Sequence, residues 1–108
     1  MKDYSSYVGI VGGGIAGLTA GCALRLQGIK TVVFERSEKT SEYGAGISIS
    51  PNGSGLLKKL GIKESLMNES FSPSRVVMSH LNKEIIVMET EVITASRQNL
   101  IKVIHQRY

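Results

Sequence analysis

Tyr7-Val8-Gly9-Ile10-Val11-Gly12-Gly13-Gly14-Ile15-Ala16-Gly17 is the stretch on which the reading of this chain turns. Its first five residues are a short apolar run, the pattern of a strand buried in a parallel sheet. The glycines that follow mark a tight turn. From Ile15 the period lengthens: Ile15, Leu18, Cys22 and Leu26 recur three or four apart, which predicts a helix over 15–27, and Gly28 stands where a C-terminal glycine cap belongs. Thr31-Val32-Val33-Phe34-Glu35 is rich in β-branched and aromatic residues and predicts a second strand. A right-handed crossover lays it parallel to the first, so residues 1–36 form a βαβ unit.

Within that unit Gly12, Gly14 and Gly17 fit the pattern G-x-G-x-x-G, with a strand before it, a helix after it and an acidic residue, Glu35, at the end of the next strand. Each position has a physical reason. Gly12 permits the turn, Gly14 lets backbone approach a pyrophosphate, and Gly17 with Gly21 lets the helix pack closely on the strands. The amides of Ile15 and Ala16, at the start of the helix, face the phosphate charge together with the helix dipole. Glu35 can accept hydrogen bonds from ribose hydroxyls, and its charge opposes a 2′-phosphate, which favours FAD or NAD over NADP. The combination implies dinucleotide binding.

Outward from the unit, residues 37–43 are polar and predict a loop, and Gly44-Ala45-Gly46-Ile47 forms a second glycine-containing segment able to approach a ligand. Ser50-Pro51 has the form of an N-cap with proline at the first helical position, opening a helix whose stripe is Leu56, Leu57 and Leu60 and whose end is Gly61. Residues 75–80 and 84–89 are β-rich runs separated by Leu81-Asn82-Lys83, a hairpin. Ser96 is placed to cap a helix over 97–107 that buries Leu100, Ile101 and Ile104. The fold class is α/β: a Rossmann-like βαβ unit, a helix, a hairpin and an amphipathic helix. Two parallel strands followed by an antiparallel pair do not complete a doubly wound sheet, so the chain is expected to be an incomplete piece of a larger fold.

The gross composition narrows the classes. With 108 residues, 42% hydrophobic and 20% charged, the chain has the make-up of one globular domain. The net charge of +4 comes from basic residues spread along the chain without a run or interleaved aromatics, which argues against nucleic acid. Cys22 is the single cysteine, which excludes an internal disulfide and points to a reducing cytoplasm. Lacking a nearby histidine, it is expected to be a small core hydrophobe. His80 and His105 are isolated, so no metal site is expected. The glycine-rich start is neither a signal peptide nor a membrane span.

Glu35-Arg36 after the second strand, then Gly44-Ala45-Gly46-Ile47-Ser48-Ile49-Ser50-Pro51-Asn52-Gly53, then Arg97 with Leu100 and Ile104, resemble the FAD-dependent aromatic-ring hydroxylases of the p-hydroxybenzoate hydroxylase type, over essentially the whole chain. The resemblance implies that Gly12, Gly14, Ile15, Ala16, Gly17 and Glu35 bind the ADP half of FAD. It places Arg36 beside the adenosine ribose, Gly46 and Ile47 near the cofactor between its halves, and Arg97 reaching back to the FAD. It also implies reduction by NADH or NADPH and transfer of one oxygen atom from O2 to a small aromatic substrate. The family's later Asp-Gly and Gly-Asp motifs have no counterpart in residues 1–108, and 75–90 would only begin its substrate-side β layer. The expectation is an N-terminal portion of such an enzyme with no assigned catalytic residue, inactive on its own. Two alternatives stand beside it: an NAD-binding fragment of a dehydrogenase, and a non-catalytic chain that dimerises through exposed apolar edges. Arg36 could instead pair with Glu38 or Glu42, and Arg97 could be a solvated first-turn residue.

Overall fold

The computed structural model of the chain describes residues 3–37 and 45–108. Residues 38–44 lie outside that description, and with them most of the expected 37–43 loop, Gly44, and the Glu38 and Glu42 partners considered for Arg36. Strand β1 (Val8–Val11) runs into helix α1 (Ile15–Leu26), and strand β2 (Thr31–Phe34) returns parallel to β1, with Val8 opposite Thr31 and Val11 opposite Phe34. The βαβ unit is thus formed as the glycine pattern predicts. Strand β3 (Gly46–Ile49) leads into α2 (Pro51–Lys59) and a short α3 (Lys63–Met67); the hairpin β4 (Arg75–His80) and β5 (Lys83–Glu89) follows, then β6 (Ile93–Ser96) and α4 (Arg97–Arg107).

Both glycine stops work as the sequence implies. Gly28 and Gly61 have positive φ, +76° and +75°. At each, two backbone bonds close the helix end: the Gly28 and Ile29 amides donate to Arg25 and Leu24, and the Gly61 and Ile62 amides to Lys58 and Leu57. This is the Schellman arrangement, which a residue without Cβ enters at no steric cost.

Three elements differ from the sequence reading. Of the second glycine-containing segment, Gly46 and Ile47 lie in a strand, because Gly46 begins β3, which pairs antiparallel with β6, Gly46 against Ser96 and Ile49 against Ile93. That ladder joins segments far apart in sequence, and neither carries a turn signal that would announce the pairing. The hairpin connection is two residues, not three: Leu81 and Asn82 have φ of 48° and 64°, and Lys83 already faces His80 in the ladder. Positive φ at both positions gives a primed turn that matches strand twist. Helix α3 was unanticipated; it carries Leu66 into the core.

The core lies where α4 meets everything else. Leu100, Ile101, Val103 and Ile104 of α4 pack with Leu18 and Cys22 of α1, Leu57, Leu60, Ile62 and Leu66 around α2 and α3, and Ile49 and Ile93 of the β3–β6 ladder. Cys22 is a buried core thiol whose Sγ lies 3.7 Å from the Ile104 carbonyl oxygen. Burial pushes its pKa up, as suits an inert thiol. Leu26 and Leu56, expected on buried faces, are about half exposed; Leu57 and Leu60 supply the apolar contact of α2 instead. Gly21 does not face the strands. A Cβ there would meet the Tyr108 ring at 2.5 Å, so this glycine makes room for the far end of α4.

Tyr108 is fixed at that corner. Its hydroxyl lies 2.8 Å from the Thr31 hydroxyl, Arg25 Cζ stands 3.6 Å above its ring, and the Arg25 guanidinium also donates to its carbonyl. The β4–β5 hairpin, in contrast, projects: every one of its residues is exposed. The radius of gyration, 17.2 Å, exceeds the roughly 13 Å of a compact chain of this length.

Replacing Ile104, which has no exposed surface, by Ala is expected to lower the unfolding free energy by about 2–5 kcal/mol. Leu56→Ala should cost less than about 1 kcal/mol. Urea denaturation followed by circular dichroism measures both.

Candidate functional site

The glycine turn joins the C-terminal end of β1 to the start of α1, and each glycine there answers to a different demand. Gly12 has φ +103° and its amide donates to the Phe34 carbonyl at 2.8 Å, tying the turn to the end of β2. Gly17 is set by internal packing: a Cβ on it would lie 1.9 Å from the Gly12 carbonyl oxygen and 3.3 Å from Ile10 Cγ2. Gly14 has neither constraint. Its φ of −81° is open to any residue, and a Cβ there meets nothing within 4 Å among the described residues. Its freedom from both demands leaves open space in front of the backbone at the helix entrance.

Gly14 is the N-cap of α1, and its carbonyl accepts the first helical bond from Leu18 at 3.0 Å. The amides of Ile15, Ala16 and Gly17 form the first turn, where no side chain caps the helix and no acidic residue stands. The positive end of the helix dipole therefore faces the open space without a protein counter-charge in that turn.

Glu35 stands across the turn at the end of β2. Its Oε2 accepts from the Gly13 amide at 2.6 Å, and its Oε1 from the Ser37 amide at 3.1 Å. These two bonds, Ser37's foremost and then Gly13's, with smaller contributions from the Arg36 amide and then the Arg36 charge, hold the Glu35 carboxyl below its ordinary pKa. The sequence reading assigned Glu35 to a ribose and did not foresee its grip on the turn, because backbone donors leave no residue-type signature.

A second cluster forms around the β3–β6 ladder. Gly46 and Ile47 open β3, opposite Ser96 and Ala95, and the Arg97 amide donates to the Ala45 carbonyl at 3.0 Å. Ser96 caps α4 through a 3.0 Å bond from the Asn99 amide to its Oγ, as expected. Gly46, Ile47 and Arg97 are therefore neighbours. The two clusters share one end of the molecule: Cys22 contacts Ile104 and, one turn on, Arg25 contacts Tyr108, so α1 and α4 pass in the same sense. Ile15 and Arg97, the first residues of the two helices, lie at the same end. Among the described residues no group of His, Cys, Asp or Glu could hold a metal ion, and no helix is long and apolar enough to cross a membrane.

The profile of the FAD binding domain family matches residues 5–107. The chain belongs to that family. Its cofactor is FAD, and its resemblance to the FAD-dependent aromatic hydroxylases holds in the individual relatives. It is 44% identical over 66 residues to 3-amino-4-hydroxybenzoate 2-monooxygenase of Streptomyces cremeus, covering 61% of this chain and 17% of that protein. It is 36% identical over 83 residues to 3-hydroxybenzoate 6-hydroxylase of Klebsiella oxytoca, covering 75% of this chain and 21% of that one. Among solved structures, the tetrameric form of 2-methyl-3-hydroxypyridine-5-carboxylic acid oxygenase superposes with a TM-score of 0.84 at 28% identity, covering 92% of this chain and 28% of that chain. The FAD-binding domain described here thus spans about a fifth of the length of these curated relatives.

The two glycines separate folding from binding. Gly17→Ala drives a methyl group into the Gly12 carbonyl and is expected to cost at least about 2 kcal/mol of stability. Gly14→Ala should change stability by less than about 1 kcal/mol. It should nevertheless weaken FAD binding about tenfold or more, because the new methyl occupies the space a close-lying pyrophosphate needs. Thermal melts and a fluorescence titration with FAD on both variants measure the contrast.

Proposed function

We propose that this domain holds the ADP half of FAD at the glycine turn, as part of a flavin monooxygenase that uses NADH or NADPH and O2 to hydroxylate a small aromatic substrate. The observation that carries the reading is Gly14: neither its φ nor its surroundings among the described residues demand glycine, and it borders a helix N-terminus without a side-chain cap. A pyrophosphate drawn against the Gly14 backbone would meet the amides of Ile15, Ala16 and Gly17 and the positive end of α1. Glu35 keeps lone pairs free beyond the two it uses, enough to accept from ribose hydroxyls. Arg36 follows β2 into solvent beside the same ribose position. Gly46, Ile47 and Arg97, at the same end of the fold, suit the stretch between the two halves of the cofactor.

The bound flavin would supply electron transfer from the reduced nicotinamide to O2. This chain's own contribution is binding and orientation. The relatives act on hydroxybenzoates, as their names state, and that is the basis for an aromatic substrate here. We assign no catalytic residue within residues 1–108, and the isolated chain is expected to bind FAD without turning it over. The β4–β5 hairpin is read as the start of a substrate-side β layer. The lone, buried thiol of Cys22 suits a cytoplasmic protein.

A second reading concerns the hairpin alone. Its apolar side chains are uncovered, with Val76, Met78, Ile86 and Met88 sharing one face by register, and such a ribbon is marginal unless something adds to it. In solution it favours self-association as a dimer. Gel filtration of the chain after incubation with excess FAD tests both readings in one run. Flavin absorbance is expected to travel with the protein at a dimer's elution volume. A colourless protein would overturn FAD binding by this domain, and a monomeric volume would overturn the self-association.

A further inference from the structure

Three successive glycines are the most costly backbone to order, since each gives up more conformational freedom on folding than any other residue. The turn is nevertheless fixed at both ends, by the Gly12 amide on the Phe34 carbonyl and by the Leu18 amide on the Gly14 carbonyl. Between those anchors the Gly13 amide goes to Glu35 Oε2 at 2.6 Å. The contact is close along the side chain as well: a Cβ on Gly13 would lie 3.1 Å from Glu35 Cβ and 3.2 Å from Oε2. The other oxygen is held from its own side by the Ser37 amide. The carboxylate is therefore a brace between the end of β2 and the middle of the turn.

We propose that Glu35 is a positioning residue for the glycine turn, holding the Gly13 peptide in place before any nucleotide arrives, in addition to whatever it does for a ribose. The brace itself is independent of the FAD reading; only its effect on affinity rests on that reading. A bond from a backbone amide to an ionised carboxylate is stronger than a neutral one, so the brace depends on charge as well as reach. Among the described residues Arg36 is the charged group acting on it. Because the folded-state carboxyl lies below its unfolded value, the brace contributes fully above that unfolded value. It is lost as pH falls through the lower, folded one.

Two substitutions divide the requirement. Glu35→Gln keeps the length but has one accepting oxygen for two amides. Glu35→Asp keeps the charge and the Ser37 contact but gives up the span to Gly13. The test is an amide-resolved NMR titration of the ligand-free protein from neutral pH down through the carboxylate range, with ADP affinity measured separately by calorimetry. In the wild type the Gly13 and Ser37 amide protons should move together with one apparent pKa. In Glu35→Asp only Ser37 should titrate, and Gly13 amide exchange should quicken about tenfold. ADP affinity should fall about tenfold in that variant. A Gly13 amide indifferent to pH while Ser37 titrates in the wild type overturns the brace, without recourse to any variant. Unchanged ADP affinity in Glu35→Asp overturns its role in preparing the site. Failure of the wild type to bind ADP, with Gly13 still titrating, would instead count against the nucleotide reading and leave the brace standing.

Discussion

The glycine-turn end of this domain depends on a single close approach, the Gly12 carbonyl oxygen against the Cα of Gly17. It sets how tightly the chain reverses after β1 and how near the first turn of α1 lies to the strand it has just left. Everything exposed at that end follows from it. The helix entrance faces outward with its amides free of side-chain caps, Glu35 comes within reach of the turn, and β2 lies against β1 in a register that puts Phe34 beside Val11. A side chain at Gly17 would force the turn itself to shift, since backbone cannot swing away as a flexible side chain can.

The charge pattern around the turn is correspondingly spare. The positive end of α1 is left open, while the carboxylate of Glu35 is occupied on both oxygens by backbone amides. A positive helix end and a braced carboxylate thus face each other across the turn, brought together from opposite ends of the βαβ unit. The family match and this local electrostatics point the same way from independent observations.

How much of this was legible beforehand depended on the range of the interaction. The βαβ unit, the glycine caps at Gly28 and Gly61, the Pro51 helix start, the hairpin and the Ser96 cap were all written in short windows, because each is decided by a residue and its near neighbours. The β3–β6 ladder was not, since it joins Gly46 to Ser96 and Ile49 to Ile93 with no local sign of either partner. Of the site, Gly12 and Gly17 carried their reasons in the pattern. Gly21 did not, because its neighbour is Tyr108, and the donors to Glu35 did not, because an amide looks the same on every residue.

The sheet that should be most buried is left half bare. Val11 is 91% exposed and Phe34 52%, while α1 is covered by α4, an element that follows it by some seventy residues. The first thirty-six residues look like a module on the page of sequence, yet physically they are not one. As a chain grows from its N-terminus, α1 emerges long before Ile104 and Tyr108 can cover Cys22 and Gly21. Until then the glycine-turn end has its turn residues but no floor beneath its helix, so the assembly of the first elements made waits on the last.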